Sequence, residues 1–335
     1  MTIKLAVVGL GYWGPNLVRA FNEVSEIGVS ALVDADANRL EFAGKIAPHA
    51  KRFTSIENML GEDLNAVVLA TPAETHFELG MKVLESGKDL FVEKPITLNY
   101  DEAIQLSEFA KKNERVLMVG HLLLYHPAYI ETERRLREGG LGALRYLYAR
   151  RVNLGIVRSC ENALWSLAPH DIAVSNWLVG KNAEAVQAVG FSFLQKEIED
   201  VVFYTIKYQD GIIFHGHVSW LDPQKVRELS VIGTEKMAVI DDTAATEKLK
   251  IFDRKIETQR QQFTTYGQFL SIQTGDILLP RLPSAEPLKS EAKHFIECVR
   301  DRKKPLSDGF SGAKVIKILN ALTESLKGKG GWVEI

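Results

Sequence analysis

The sequence predicts an α/β protein in two parts: a doubly wound parallel sheet over residues 1–122, and an α+β domain with a large, mostly antiparallel sheet over residues 123–335. Three observations predict it. The first third repeats short apolar runs, each ending in a polar or proline-containing loop and followed by a helical pattern, the rhythm of strands joined by crossover helices. A glycine-rich turn stands between the first such strand and the first helix. Past about residue 123 the rhythm changes to strands that alternate apolar and polar residues, with a hairpin signal between two of them. A chain of 335 residues also exceeds what one ordinary core holds.

The elements follow in order. Ile3 to Val8 is apolar and β-branched, as a strand buried on both faces should be. Gly9, Gly11 and Gly14 come next in G-x-G-x-x-G spacing, and Leu17, Val18, Phe21 and Val24 follow at helical spacing. In that setting the first glycine permits a tight turn. The second lets a pyrophosphate approach the backbone, and the third lets helix and strand pack closely. The helix amides then hold phosphate. A second strand ends at Asp34, twenty residues after Gly14, where an acid accepts hydrogen bonds from a ribose. The pattern is that of a Rossmann dinucleotide site. The plainer reading of Asp34 is an acid capping the next helix. An acid there repels a 2′-phosphate and favours NAD over NADP, although Arg39 lies near. "NAVVLATPAETH", "KDLFVEKPIT" and "RVLMVGHLLLYHP" continue the strands, so Thr71, Glu93, Lys94 and His121 fall at strand ends, where such sheets bind ligands.

In the second part, a helix over "PAYIETERRLREGG" precedes the strand "ALRYLYARRV". "WSLAPHDIAV" predicts a helix beginning at Pro169, since proline suits a first turn and Asp171 complements the dipole. His170 would then sit at a helix N-terminus, where the dipole keeps it neutral and basic near pH 7. "AEAVQAVGFSF", "EDVVFYTIKY" and "GIIFHGHVSW" predict strands, the last two joined by Gln209-Asp210-Gly211. "RELSVIG", "KMAVID" and "EKLKIF" follow. Residues 255–284 are weakly patterned and read as a long surface loop, and helices are expected near 287–301 and 311–327. An exposed face of the second sheet suggests a homodimer or homotetramer.

Several function classes are disfavoured. The net charge of −2 argues against nucleic-acid binding as the main role. No apolar run has membrane-span length, and the first residues lead into a strand-like segment without a signal-peptide pattern, so a cytoplasmic location is expected. Cys160 and Cys298 lie far apart, lack metal-ligand spacing, and read as reduced thiols. His215 and His217 share a strand face, but without a third ligand they read as surface or interface histidines, and no metal is expected. Lys225 and Arg227 read as a solvated strand start rather than an anion contact.

The whole chain resembles the Gfo/Idh/MocA oxidoreductases. The resemblance rests on "GLGYWGPN", "TPAETH", "VEKP", "GHLLLYHPA", "APHD" and "KPLSDGFSGAKVIKILNALTESL". "HVSWLDPQKVRELSVIGTEKMAVIDD" is similar to the branch that oxidises the C3 hydroxyl of nucleotide-activated sugars such as UDP-N-acetylglucosamine or its uronate, in polysaccharide or lipid A precursor synthesis. The resemblance implies that Gly9, Gly11, Tyr12, Trp13, Gly14, Asp34, Thr71, Pro72, His76, Glu93, Lys94 and His121 hold NAD. It implies that Lys94 and His170 are catalytic, with Lys94 on the reacting hydroxyl and His170 as acid/base. Tyr125, Arg151, Asn153, Arg158 and Ser166 join them on the substrate side. Arg150, Arg151 and Arg158 suit a diphosphate, arginine forming paired hydrogen bonds with phosphate; the alternative reading of any one of them is a strand residue facing solvent. The family usually carries an aspartate four residues before the histidine, where this chain has Ser166, which bears no charge to support an imidazolium. The alternatives are a free sugar or inositol dehydrogenase, and a non-catalytic dinucleotide sensor.

Overall fold

The computed structural model describes residues 2–24, 28–155, 157–159, 161–257 and 271–335. The chain divides into two compact units, Met1–His126 with Ala285–Asn320, and Pro127–Ser284 with Ala321–Ile335.

The first unit is built on six parallel strands in the order β3-β2-β1-β4-β5-β6. They are β1 (Leu5–Val8), β2 (Val29–Val33), β3 (Lys51–Phe53), β4 (Ala66–Leu69), β5 (Asp89–Glu93) and β6 (Leu117–Gly120). β1 and β4 at the centre and β6 at the edge are buried from end to end, which is why they read as unbroken apolar runs. Helices α1 (Gly14–Val24), α2 (Ala37–Gly44), α3 (Ile56–Leu60), α4 (His76–Glu85) and α5 (Tyr100–Lys112) connect them. The order reverses at β1, with β2 on one side and β4 on the other. That is the switch point where sheets of this kind open a crevice.

The second unit begins with α6 (Pro127–Arg137), β7 (Leu144–Val152) and α7 (Ala163–Val179). Then come β8 (Ala183–Phe191), β9 (Val201–Tyr208), β10 (Ile213–Ser219), β11 (Val226–Gly233), β12 (Met237–Asp241), β13 (Leu249–Glu257) and β14 (Ser271–Leu278). After α8 (Pro287–Asp301) and α9 (Gly309–Lys327), a short β15 (Val333–Glu334) completes a nine-stranded sheet ordered β14-β13-β12-β11-β7-β10-β9-β8-β15. Among the described residues of this sheet, only β7 and β10 pair in parallel. The turn between β9 and β10 carries Asp210 and Gly211 at positive φ, as the hairpin signal requires.

Three expectations differ from the structure. The stretch 255–284 is not one loop: β13 and β14 pair through it, and residues 258–270 lie outside the described residues. A division at 122/123 also differs. Residues 285–320 belong to the first unit, because Phe295 of α8 packs edge-on against Phe21 and Phe91 with centroids 6.0 and 5.6 Å apart. Long amphipathic helices show which face is apolar, not which sheet they cover. Third, α7 starts at Ala163, six residues before Pro169, with Asn162 as its cap accepting from the Trp165 amide at 3.1 Å. Pro169 is inside the helix, where its missing N–H leaves the usual partner of the Trp165 carbonyl absent.

Candidate functional site

In the first unit the glycine-rich turn, the end of β2 and the loop after β4 enclose a cleft of about 450 Å³. Gly9, Gly11, Tyr12, Asp34, Arg39, Thr71 and Pro72 line it. Gly9 has φ +89°, and a Cβ there would stand 2.6–2.7 Å from the Ala70–Thr71 backbone. A Cβ on Gly14 would stand 2.2 Å from the Gly9 carbonyl oxygen. Both glycines are therefore demanded by the fold. Gly11 differs: its nearest neighbour is an Arg39 nitrogen 3.8 Å away, so the missing side chain leaves open cleft. That is the cradle a dinucleotide pyrophosphate requires. Asp34 accepts from the Leu10 amide at 2.7 Å and the Asp36 amide at 2.9 Å, which fixes its carboxylate at the cleft wall. Arg39 approaches it only to 3.9 Å and is half exposed. Tyr12 is 88% exposed at the edge of the cleft.

Two expected cofactor contacts turn out to be enclosed. His76 is 1% exposed, and its ring nitrogens bridge the Pro95 carbonyl at 2.7 Å and the Thr71 carbonyl at 2.9 Å. It ties the loop after β4 to the loop after β5, and burial lowers its pKa. His121 is 2% exposed, with neither ring nitrogen hydrogen-bonded among the described residues. Burial first, and the nearby Lys94 charge second, push it down to about 3.

Glu93 ends β5 and Lys94 follows it. The Trp13 indole donates to the Glu93 carboxyl at 2.9 Å, and the Lys94 amide donates at 3.2 Å. Gly120, opposite Glu93 on β6, makes room: a Cβ there would meet the Glu93 carboxyl at 3.0 Å. Loss of water around the carboxyl raises it to about 7 against the opposing pull of Lys94. Sequence reasoning missed its neighbour Glu291 on α8, which is 1% exposed. The signal was available: Leu288, Glu291, Ala292, Phe295 and Val299 mark the buried stripe of that helix, with an acid inside it. Tyr125 is also enclosed, 3.0 Å from the Ser307 hydroxyl, so its phenol serves the core of this unit rather than standing open to a substrate.

In the second unit His170 lies within α7, between buried Pro169 and Asp171. It is not at a helix N-terminus, so the dipole argument for its basicity fails. Ser166 precedes it by one turn, on the same helix face. Arg151 forms a paired ion bridge with Asp171 at 2.7 and 2.9 Å, both residues nearly fully buried. Its guanidinium is thus committed within the protein, and it fastens α7 to β7 beside His170. Arg150 points to the opposite face of the sheet, as alternation along a strand dictates, and pairs with Asp222 at 3.3 Å. The structure therefore separates two arginines expected together. Arg158 is half exposed and pairs with Glu161 at 3.0 Å. The Asn153 amide donates to the Ser219 carbonyl at 3.1 Å, while the residue keeps partial exposure.

His215 stacks on Tyr148 and His217 on Phe203, on the sheet face away from α7. Among the described residues no cluster of His, Cys, Asp and Glu suits a metal ion. Cys298 is a free thiol whose burial pushes it up to about 11; Cys160 lies outside the described residues. No described helix is long and apolar enough to cross a membrane.

Residues 3–121 match the model of an oxidoreductase family with an NAD-binding Rossmann fold, and residues 129–239 match the GFO/IDH/MocA C-terminal domain. A UDP-N-acetylglucosamine 3-dehydrogenase of Acidithiobacillus ferrooxidans is 25% identical over 94% of both chains. A scyllo-inositol 2-dehydrogenase (NAD(+)) of Bacillus subtilis is also 25% identical, over 97% of this chain and 94% of that one. The solved structure of the Acidithiobacillus enzyme superposes with a TM-score of 0.82 at 23% identity, covering 98% of this chain and 99% of that one.

Proposed function

Because the chain belongs to the Gfo/Idh/MocA oxidoreductase family, we propose that it oxidises a secondary hydroxyl, at C3, of a nucleotide-activated sugar such as UDP-N-acetylglucosamine or its uronate, with NAD as acceptor. The observation that carries the cofactor half is the cleft beside Gly11, with Asp34 fixed at its wall. When bound, a nicotinamide supplies a carbon that accepts hydride. The chain's own residues do the rest. Gly9, Gly11 and Gly14 shape the phosphate turn, and the fixed Asp34 carboxylate accepts from ribose hydroxyls and repels a 2′-phosphate. His76 holds the two loops that carry Thr71, Pro72, Lys94 and Pro95. The Lys94 ammonium donates to the substrate oxygen and stabilises charge that develops there. His170 takes the hydroxyl proton, and Arg151 with Asp171 positions the helix that carries it. Tyr12 and Trp13 flank the glycine turn, with Trp13 fixed by Glu93.

The nucleotide-sugar reading draws on the Acidithiobacillus relative, which is matched over nearly its whole length. Polysaccharide or lipid A precursor synthesis is the setting that substrate implies. A free polyol is the second reading. It is favoured by the equally similar inositol dehydrogenase, and by the bonding of Arg151 and Arg158 to Asp171 and Glu161 rather than to open space. The deciding assay mixes the protein with NAD, a 2-keto acid to recycle reduced cofactor, and panels of UDP-sugars and free polyols. NADH formed with UDP-sugars and not polyols supports the first reading. The reverse supports the second. Tight NAD binding without turnover of either would overturn both in favour of a sensor. The sheet face bearing Val189, Phe203, His217 and Tyr148 is the surface we assign to a second copy of the chain, which light scattering tests.

A further inference from the structure

Glu93 and Glu291 are brought together by the aromatic contact beneath them. Phe91 and Phe295 pack at 5.6 Å. Glu93 lies two residues beyond Phe91 on the same face of β5, and Glu291 lies one helical turn before Phe295 on the same ridge of α8. Arg302 at the end of α8 bonds Asp89 at the start of β5 at 2.6 Å, so the two elements run oppositely; two strand residues and one helical turn advance the chain by similar lengths, roughly 6–7 and 5–6 Å, and both carboxyls lie beyond the same aromatic pair. The Glu291 atom Oε1 has no hydrogen-bond partner among the described residues.

Several charged and titratable groups surround them. Lys94 follows Glu93, His121 comes from the end of β6, and Tyr125 faces Glu291. His294 and Cys298 lie on α8 itself, and the His294 ring lies tilted beside Tyr125 with centroids 5.3 Å apart. Among these groups the Lys94 charge favours the carboxylate form of Glu93. A fully buried Glu291 beside a half-buried Glu93 does not ionise together with it.

We infer that Glu93 and Glu291 do not ionise together: Glu291 is a carboxylic acid at neutral pH, and Glu93, protonated in a fraction of the cofactor-free molecules, becomes carboxylate throughout when a positively charged nicotinamide binds nearby. The second half rests on the cofactor reading above. Burial, and then the charge of Glu93, raise Glu291 well above an ordinary glutamate, while Glu93 is raised less because Trp13 and Lys94 stabilise its anion. Glu291 is a positioning residue here; it acts through Glu93. The proton that Glu93 gives up goes to solvent. NADH, with a neutral ring, has no such effect.

Two measurements test this on the intact protein. Infrared spectroscopy of the cofactor-free protein at pH 7 should show a protonated-carboxyl stretch that Glu291→Gln weakens, while that variant keeps NAD affinity within about twofold, because a neutral amide replaces a neutral acid. Calorimetry in two buffers of different ionisation enthalpy should show proton release on binding NAD and none on binding NADH, the release vanishing in Glu93→Gln. A protonated-carboxyl band that is absent or is left unchanged by Glu291→Gln, or a tenfold loss of NAD affinity in Glu291→Gln, overturns the pair. NAD binding without proton release overturns the linkage. A protein that binds no NAD at all overturns the cofactor reading instead, and the infrared result still judges the pair.

Discussion

The two units expose their chemistry in opposite ways. In the first, the glycines, Asp34, Thr71 and Lys94 sit in short loops after buried strands, and each is placed by the loop it belongs to. In the second, His170 sits inside a 17-residue helix, and that helix is fastened by a buried bridge from Asp171 to Arg151 on a strand twenty residues earlier. A site made of loops on a rigid sheet is local in the chain. A site made on a helix depends on distant partners.

That contrast can be broken experimentally, and the largest expected effect is on His170. His170→Ala should lower kcat by roughly 10²–10⁴, the range for losing a general acid–base group. A loss below tenfold removes it from the mechanism. Ser166→Asp is its companion: rising activity would show that an acid one turn away supports the imidazole, and falling activity would show that serine belongs to a different arrangement.

Next in size is the buried bridge. Arg151→Ala leaves Asp171 charged and alone, and should cost about 3–5 kcal/mol in denaturant unfolding, whereas an apolar replacement of both partners should be close to neutral. If the single variant unfolds like the parent, the helix is not held by that bridge. In the first unit the effects should be smaller and confined to the cofactor. Asp34→Ala should weaken NAD by roughly tenfold, the scale of a lost charged hydrogen bond of about 1.5 kcal/mol, and narrow the preference over NADP. Equal losses for both cofactors would remove Asp34 from that choice.

The smallest effect is one of pH. Glu93 is raised from 4.5 to about 7 in the folded protein, so between those values the folded chain holds the proton more tightly than the unfolded one. Stability from this group is therefore present below about pH 4.5 and lost as pH rises through 7. Glu93→Gln should lose less stability than the parent between pH 5 and 8 in thermal unfolding. An unchanged difference would show that the carboxyl is better solvated than its packing against Gly120 implies.

What was legible follows the same divide. The parallel sheet and its glycine turn could be read because β1, the turn and α1 are consecutive and each glycine has a single steric reason. The mostly antiparallel sheet was legible from alternation and from one hairpin turn. The start of α7 was not. Proline in a first turn is a sound local rule, but Asn162 caps this helix earlier, and contact with β7, β9 and β10 outweighs the hydrogen bond that Pro169 removes. The grouping of Arg150 with Arg151 failed for a simpler reason: neighbours on a strand face opposite ways. Glu291 went unnoticed because an acid in an amphipathic helix is ordinarily taken as solvent-facing.

The chain passes between its two units three times, after His126, after Ser284 and after Asn320, and the last passage falls inside the continuous helix α9. On one side of that point Asn320 donates to the Leu98 carbonyl, and on the other Ser325 accepts from the Ala188 amide. A recombinant fragment ending near residue 126 would lack Phe295 and leave Phe21 and Phe91 with a bare edge. Grafting a relative's second unit onto this first one would require three splices, one of them through a helix in mid-turn. Diversification of substrate in such a chain is therefore easier by point substitution than by exchange of whole modules.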